Sequence, residues 1–344
     1  MPNTHNKCRW SLTVSLLLVT LMGLSSCSRY QRLPDIMQDY HGRLARVLQI
    51  PEYQSLSVVE LTYPSIEQRT LSIAPITMNL RDFYAIDGCA LAPLIAQRNT
   101  ALGKVASPSQ RLIYEAQLID TLHSCVLLED ASVPSSQSEL TQVLSEKQAQ
   151  YPIVWANLMQ NSLSLRSGLG FAQGYIAGGA DDGLIETKNA LSYLLYIQQP
   201  QNTESEVLEN HLATIEQIRL PARLYRTTSF LARQLSELNQ HLSLFNTHFT
   251  CETSRQRDQI VIFNNVMNQF FIQQIQPIAS SVNRSHQHIQ PLIVSIYTQP
   301  NIADAYKDVL EQQKAQYERY VNVFREHVML LQTILQKCGM RPTA

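Results

Sequence analysis

Hydrophobic residues recur every three or four positions along most of the chain, which is the spacing that one buried face of an α-helix requires. The pattern is longest in the last third, where a helix starting near Ser254 turns near Pro300 and returns along an apolar stripe from Tyr306 to Cys338. A sustained stripe of this kind is typical of a helical bundle. We therefore predict a mostly all-α protein, an elongated helical bundle of long antiparallel helices with a small extended segment near the N-terminus.

Residues 54–78 depart from the helical spacing. Two runs rich in β-branched residues, 57–63 and 70–73, are flanked by Pro64 and Pro75. Runs this short form either separate extended segments or a small hairpin, and the sequence leaves both alternatives open.

A helical hairpin is predicted next, with one arm over residues 89–104, a turn at 105–107 and the second arm over 108–128. Ser107 followed by Pro108 and Gln110 favours a helix start at the turn. The serine can cap the helix, proline suits the first helical position, and the glutamine can complete a capping box.

The first 27 residues have the organisation of a secretory leader. Lys7 and Arg9 form a basic start, and the apolar run from Trp10 to Leu24 is too short for a comfortable membrane-spanning helix. The run ends in Leu24-Ser25-Ser26-Cys27, the order of a bacterial lipobox, in which the cysteine thiol is acylated. The alternative is an ordinary signal peptide, or an anchor, with a coincidental cysteine.

Lipid attachment is therefore predicted at Cys27. By resemblance to lipoproteins, Ser28 after the cysteine favours the outer membrane, whereas an aspartate there would favour the inner membrane. Three acyl chains at about 0.8 kcal/mol per buried methylene make such anchoring effectively permanent. We expect a mature protein that is lipid-anchored in the outer membrane and faces the periplasm.

Four further cysteines follow the leader and indicate two disulfides, because the periplasm is oxidising. They are Cys89, Cys125, Cys251 and Cys338. Cys89 and Cys125 each lie 18 residues from Ser107, so antiparallel arms rising about 1.5 Å per residue bring them level. We pair these two, and we pair Cys338 on the apolar stripe with Cys251 at the far end of its hairpin.

Three segments are predicted along the chain. Residues 1–26 form a lipoprotein signal peptide, 27–130 an N-terminal lobe with the disulfide-closed helical hairpin, and 131–344 a C-terminal helical bundle. The boundary falls at a polar linker, 131–138. Residues 167–183 hold six of the eleven glycines and are predicted to be a flexible linker or hinge.

Composition and charge exclude several classes of protein. A hydrophobic content of 44% can supply a sizeable core, which excludes wholesale disorder. A net charge of -1 excludes a generic nucleic-acid binder. Charged residues make up only 16% of the chain, while 34 residues are glutamine, so the surface is expected to be neutral and polar.

No motif with catalytic or metal-binding spacing is present in the sequence. The glycines at 168–174 follow no strand and precede no phosphate-loop lysine. His286 and His288 are two residues apart, so on a helix they point to different faces. We predict no cofactor and no metal; enzymatic activity is left open, with a non-enzyme favoured.

The densest cluster of candidate binding residues lies at the predicted hairpin tip. Arg98, Asn99 and Lys104 precede the turn, and Tyr114 and Glu115 follow it. One interpretation is a binding site for an anion or a carboxylate, in which the Arg98 guanidinium forms a bidentate contact. The other is structural, with an ion pair between Arg98 and Glu115 that fixes the hairpin.

The residue order around this turn resembles a known family. Residues 98–104, R-N-T-A-L-G-K, and 109–115, S-Q-R-L-I-Y-E, are similar to an uncharacterised family of gammaproteobacterial lipoproteins, the domain-of-unknown-function family numbered three thousand and eighty. Thr100 stands where serine is expected, which keeps the hydroxyl. The resemblance implies a lipoprotein of unknown activity and adds no mechanism.

Four arginines at steps of four, three and seven could form a basic helix face. They are Arg219, Arg223, Arg226 and Arg233. Contact with lipid phosphate or lipopolysaccharide is one interpretation, and solvated arginines paired with Glu216 and Glu237 are the other.

Three hypotheses of function follow. The first is a non-catalytic binding or scaffold protein of the bacterial envelope with an envelope protein partner, anchored in the membrane through lipidated Cys27. The second is a protein that binds or processes lipid or envelope glycan, through the hairpin tip Arg98–Glu115 or the Arg219–Arg233 face. The third is a hydrolase with its site near Arg98, Lys104, Tyr114 and Glu115.

Overall fold

The computed structural model describes residues 32–76, 90–100, 105–128, 134–179 and 182–340. None of these residues is in a β-strand, and the predicted all-α helical bundle is confirmed. The helices are α1 (Arg32–Leu48), α2 (Ile66–Arg69), α3 (Leu91–Asn99), α4 (Pro108–Leu128), α5 (Pro134–Asn161), α6 (Leu163–Gly170), α7 (Leu184–Tyr196), α8 (Ser205–Ile218), α9 (Leu220–His248), α10 (Ser254–Val266), α11 (Gln276–Tyr297) and α12 (Ala305–Gln336).

The most extensive helix pair is α9 with α12. Asn239 donates to the carbonyl of Val323 at 3.0 Å, and further along both helices Lys337 donates to the carbonyls of Asn246 and Phe249. These contacts advance in the same direction along both helices, so α9 and α12 run parallel. The expected antiparallel order holds for α11 and α12, which follow each other in the chain. The helices α9 and α12 are parallel because α10 and α11 come between them in the chain and run in the opposite direction.

A continuous helix of 44 residues, 254–297, is made of α10, a π-helical segment (Met267–Ile275) and α11. The N–H of Gln276 bonds to the carbonyl of Phe271, five residues back. Pro277 follows and has no N–H to donate, and the wider π turn absorbs this loss without ending the helix. The chain then returns antiparallel as α12, and Phe271 packs against Phe324 with ring centroids 5.3 Å apart.

The start of α4 agrees in detail with the prediction made from Ser107 and Gln110. The N–H of Gln110 donates to the Ser107 hydroxyl at 3.2 Å, and the N–H of Ser107 donates to the Gln110 side chain at 3.1 Å. This reciprocal pair is a capping box. The next helix, α5, begins at Pro134, so the expected linker over 131–138 is shorter, because proline and serines also suit a first helical turn.

Residues 51–76 contain the helix α2 and no β-strand, so they form no hairpin. The backbone of Ser65 and Thr70, on either side of α2, is extended. Helix side chains, instead of a second strand, bond the backbone of this segment. Asn157 accepts from the N–H of Leu71 at 2.8 Å and donates to its carbonyl at 2.9 Å. Ser229 accepts from the N–H of Val59 at 3.0 Å. The backbone polar groups are thus satisfied on the surface of the bundle.

A disulfide joins Cys251 to Cys338, whose Cα atoms are 5.2 Å apart and which are separated by 87 positions in the sequence. It closes the open end of the α10–α12 hairpin beside the end of α9. In the chain-entropy model a loop of this size contributes roughly 4 to 5 kcal/mol. Cys125 is also disulfide-bonded, and Cys89, with which we pair it, lies outside the described residues.

The predicted division at residue 130 stays a prediction. Leu122 of α4 and Leu140 of α5, on either side of it, belong to one buried cluster. No helix in the described ranges combines the length and apolar composition needed to cross a bilayer.

The start of the glycine-rich stretch is helical and close-packed, where a flexible linker or hinge is predicted. Gly168 lies in α6 and is buried. A Cβ atom there would meet the carbonyl oxygen of Ile215 at 2.5 Å. Glycine at this position therefore lets α6 and α8 approach each other.

We expect Gly168→Ala to lower the free energy of unfolding by about 1 to 3 kcal/mol, because the added methyl must displace backbone of α8. Gly42→Ala is the matched control, since a Cβ at Gly42 in α1 meets nothing within 4 Å. Alanine should stabilise that helix by up to about 1 kcal/mol. Urea denaturation of both variants measures the difference, and equal effects would contradict the close packing of α6 on α8.

Candidate functional site

The hairpin tip is organised around Glu115, whose side chain is 2% exposed. Arg111, one helical turn before it in α4, lies 2.5 Å from one carboxylate oxygen. Lys147 of α5 lies 3.0 Å from the other oxygen. The carboxylate therefore joins α4 to α5, and its charge is balanced by two cations.

Of the other tip residues that the structure describes, Tyr114 contacts this ion pair and Asn99 is exposed. The Arg111 guanidinium lies 5.7 Å from the centre of the Tyr114 ring. Burial, and then the charge of Glu115, raise the pKa of Tyr114 to about 12, while Arg98 acts in the opposite direction. Asn99 is exposed at the end of α3. In this arrangement the Glu115 carboxylate is paired with two cations, and the raised pKa keeps the Tyr114 phenol neutral at physiological pH.

Several predicted site residues lie outside the described residues. These are Cys27, Cys89 and Lys104.

The four arginines of the predicted basic face do not share one solvent-exposed surface. Arg223 is buried and lies 3.1 Å from a carboxylate oxygen of Asp182. It also donates to the carbonyls of Asp182, at 2.7 Å, and Ile218, at 3.0 Å. The expectation that these arginines are solvated and paired with Glu216 and Glu237 is therefore wrong for Arg223. Burial of its charge requires a buried counter-charge and further acceptors.

Arg219 and Arg226 are half-buried and line an open groove, which we call the arginine groove. Its walls are residues 58–61, residues 170–173 and the start of α9, where Ala222 and Tyr225 complete the lining. Neither arginine has a carboxylate oxygen within 4.0 Å in the part of the chain that the structure describes. Arg233, seven residues further along α9, does not line this groove.

A buried polar network that the sequence analysis missed joins α1, α9 and α12. His327 is 0% exposed, its Nδ1 lies 2.6 Å from the Asn239 side-chain oxygen, and its Nε2 lies 2.9 Å from the Tyr40 hydroxyl. With the Asn239 amide nitrogen donating to Val323, its oxygen accepts from Nδ1–H, so the Tyr40 hydroxyl donates to Nε2. His327 stands three or four residues from Phe324 and Leu331 on the apolar stripe, and that spacing could have indicated its burial.

A narrow apolar crevice lies between α9, α11 and α12. His286 and Tyr317 stack in it with ring centroids 3.4 Å apart, and burial lowers the pKa of His286 to about 4. His288 is exposed. Within the described ranges, no group of three or more histidine, cysteine or acidic residues is arranged to hold a metal ion.

A family profile described as protein of unknown function, DUF3080, matches residues 37–342. The chain therefore belongs to this family, which is the family that residues 98–115 indicate. No curated protein and no solved structure matches the chain.

We expect Glu115→Gln to lower the free energy of unfolding by about 1 to 3 kcal/mol, since Arg111 and Lys147 lose their shared counter-charge. Asp120→Asn, at an exposed position of the same helix, serves as control and should change it by less than about 0.5 kcal/mol. Chemical denaturation measures both variants. Full stability of Glu115→Gln would show that the tip is not held together by this carboxylate.

Acidification should destabilise the protein through His327. Burial lowers the pKa of His327 to about 3, whereas an unfolded histidine titrates near 6.5. The unfolded chain therefore binds more protons below about pH 6.5, and stability falls as the pH drops from there towards 3. This one group should cost about 2 kcal/mol between pH 7.5 and pH 5.

The measurement compares the pH dependence of the unfolding free energy in the wild type and in His327→Gln. The variant should lose about 2 kcal/mol less over that pH interval, whatever its stability at pH 7.5. His288→Gln should retain the wild-type slope. Identical slopes for the wild type and His327→Gln would refute a buried neutral imidazole.

Proposed function

We propose that this member of the DUF3080 family is a lipid-anchored protein of the bacterial outer membrane, which faces the periplasm and binds or braces another envelope component without catalysis. The observation that carries the proposal is Leu24-Ser25-Ser26-Cys27 at the end of a short apolar run with a basic start. This order favours acylation at Cys27, and Ser28 favours sorting of the acylated protein to the outer membrane.

The position of α1 supports a role close to the membrane surface. Arg32, the first residue of α1, is five residues after Cys27, and five residues span at most about 18 Å. Leu33, Met37 and Tyr40 of α1 are buried in the core. An acylated Cys27 would therefore hold the whole bundle near the lipid headgroups, where an envelope protein partner can be bound from a fixed position.

A second candidate function is the binding or processing of lipid or envelope glycan. The structure favours the arginine groove over the hairpin tip as its site. At the tip, Glu115 is paired with Arg111 and Lys147, whereas Arg219 and Arg226 line an open groove.

Metabolic labelling with an alkyne-tagged palmitate tests the anchor. We expect label on the wild type and on Cys8→Ala, whose change lies in the leader, and none on Cys27→Ala. The label should sediment with the outer membrane for the wild type and with the inner membrane for Ser28→Asp. Mild-detergent extraction of the labelled wild type should then recover a stoichiometric protein partner.

Two outcomes would contradict the proposal. Label on Cys27→Ala equal to that on the wild type would exclude acylation at Cys27. Repeated recovery of the acylated chain alone, without any protein, would exclude the adaptor role and leave the second candidate.

A further inference from the structure

The two arginines of the arginine groove have no acidic partner among the described residues, whereas the arginine that lies between them in the sequence has one. Arg223 is neutralised by Asp182 inside the protein. Arg219 and Arg226, four residues before it and three after it, have no carboxylate within 4.0 Å in the described ranges. Glu60 is the one acidic residue that lines the groove, and it is exposed at the surface.

Both guanidinium groups are held in place before any ligand arrives. Arg226 lies over the Tyr175 ring, 5.0 Å from its centre, and its Nε is buried without a hydrogen-bond partner. The Nε of Arg219 donates to the Glu216 carbonyl at 2.8 Å, which leaves its terminal nitrogens for other acceptors. Side chains fixed in this way lose little conformational entropy on binding.

Two further arginines are connected to the groove wall through a chain of aromatic residues. Arg69 is only 6% exposed, and its Nε and Nη1 have no hydrogen-bond partner. Burial raises the pKa of Tyr306, and the charges of Arg69 and Arg166 act against this rise. The charge of Arg166 acts in the same way on Tyr63, whose pKa burial also raises. Tyr63 packs against Phe171 of the groove wall, with ring centroids 5.8 Å apart.

This charge is local to one region of the protein. The whole chain carries a net charge of -1, so the excess of arginine around the groove is offset elsewhere. A cleft whose lining carries an excess of one charge concentrates ligands of the opposite charge, and two arginines against one exposed glutamate line this groove.

We propose that the arginine groove binds a phosphate-bearing ligand, with Arg219 and Arg226 as the residues that contact phosphate oxygens. The planar guanidinium fork matches phosphate geometry. Arg219 immediately precedes α9 and Arg226 is the seventh residue of that helix. Seven helical residues span about 10 Å, a distance that two long side chains can close. The inference deepens the binding role proposed above by naming the ligand chemistry.

The phosphate can come from a soluble molecule or from a lipid headgroup. Tyr225 lines both the arginine groove and the apolar crevice next to it. A lipid would therefore find an apolar surface beside the site for its headgroup, so a lipid probe is needed alongside a soluble one.

The test uses the full acylated protein in nonionic detergent and two probes. Isothermal titration measures binding of inorganic pyrophosphate, and native mass spectrometry counts dimyristoyl phosphatidic acid retained from mixed micelles. We expect at least one probe to bind, and Arg226→Gln to weaken that binding at least tenfold.

Two further variants separate binding from folding. Arg219 has a left-handed backbone, φ 51°, which glycine adopts without strain, so Arg219→Gly should fold and also weaken binding at least tenfold. Arg233→Gln, on the same helix but outside the groove, should bind as the wild type does.

The pattern of binding decides the outcome. Pyrophosphate bound with groove dependence indicates a soluble phosphate ligand, and phosphatidic acid alone indicates a lipid headgroup; both support the proposal. Binding of neither probe, or equal losses in Arg226→Gln and Arg233→Gln, would overturn it. These binding measurements are independent of palmitate labelling and partner recovery. A negative result for the groove therefore leaves the proposed anchor and adaptor role untouched, and the reverse also holds.

Discussion

The parallel packing of α9 against α12 is the contact on which the rest of the structure depends. The two helices are far apart in sequence, and only burial of their facing side chains brings them together. The His327 network ties this pair to α1, and the Cys251–Cys338 bond fixes its far end. The arginine groove lies at the other end, where α9 begins, so its geometry follows from how this pair is held.

Arginines on a single helix have different roles because their neighbours differ. Arg223 faces the buried Asp182 and serves the fold, whereas Arg226 meets the face of an aromatic ring and keeps its terminal nitrogens for the groove. A buried ion pair stabilises little in net terms, but it fixes one arrangement, since leaving either charge alone is costly. In this protein the Arg223–Asp182 pair fixes the start of α9, and thereby places the two groove arginines.

The large number of amide side chains has a structural use in the described part of the chain. An extended segment needs partners for its N–H and C=O groups, and residues 51–76 obtain them from side chains of helices. Asn157 bonds Leu71 on both backbone groups, and Gln150 donates to the carbonyl of Ala74 at 2.9 Å. Amides can donate and accept without the desolvation cost of a charge, which suits a surface with few charged residues.

Local rules were enough to predict the all-α class, the α4 capping box and the family, because periodicity, caps and motif order involve residues near each other in sequence. They did not predict α2, which lies in a segment without helical spacing, or the start of α5 at Pro134. The sequence alone also carries the lipobox at Cys27, on which the proposed location rests. Tertiary structure decided which arginines pair, where His327 is buried, and that Gly168 serves close packing. Each of these depends on a partner 41 or more residues away, and spacing along a chain cannot specify such a partner.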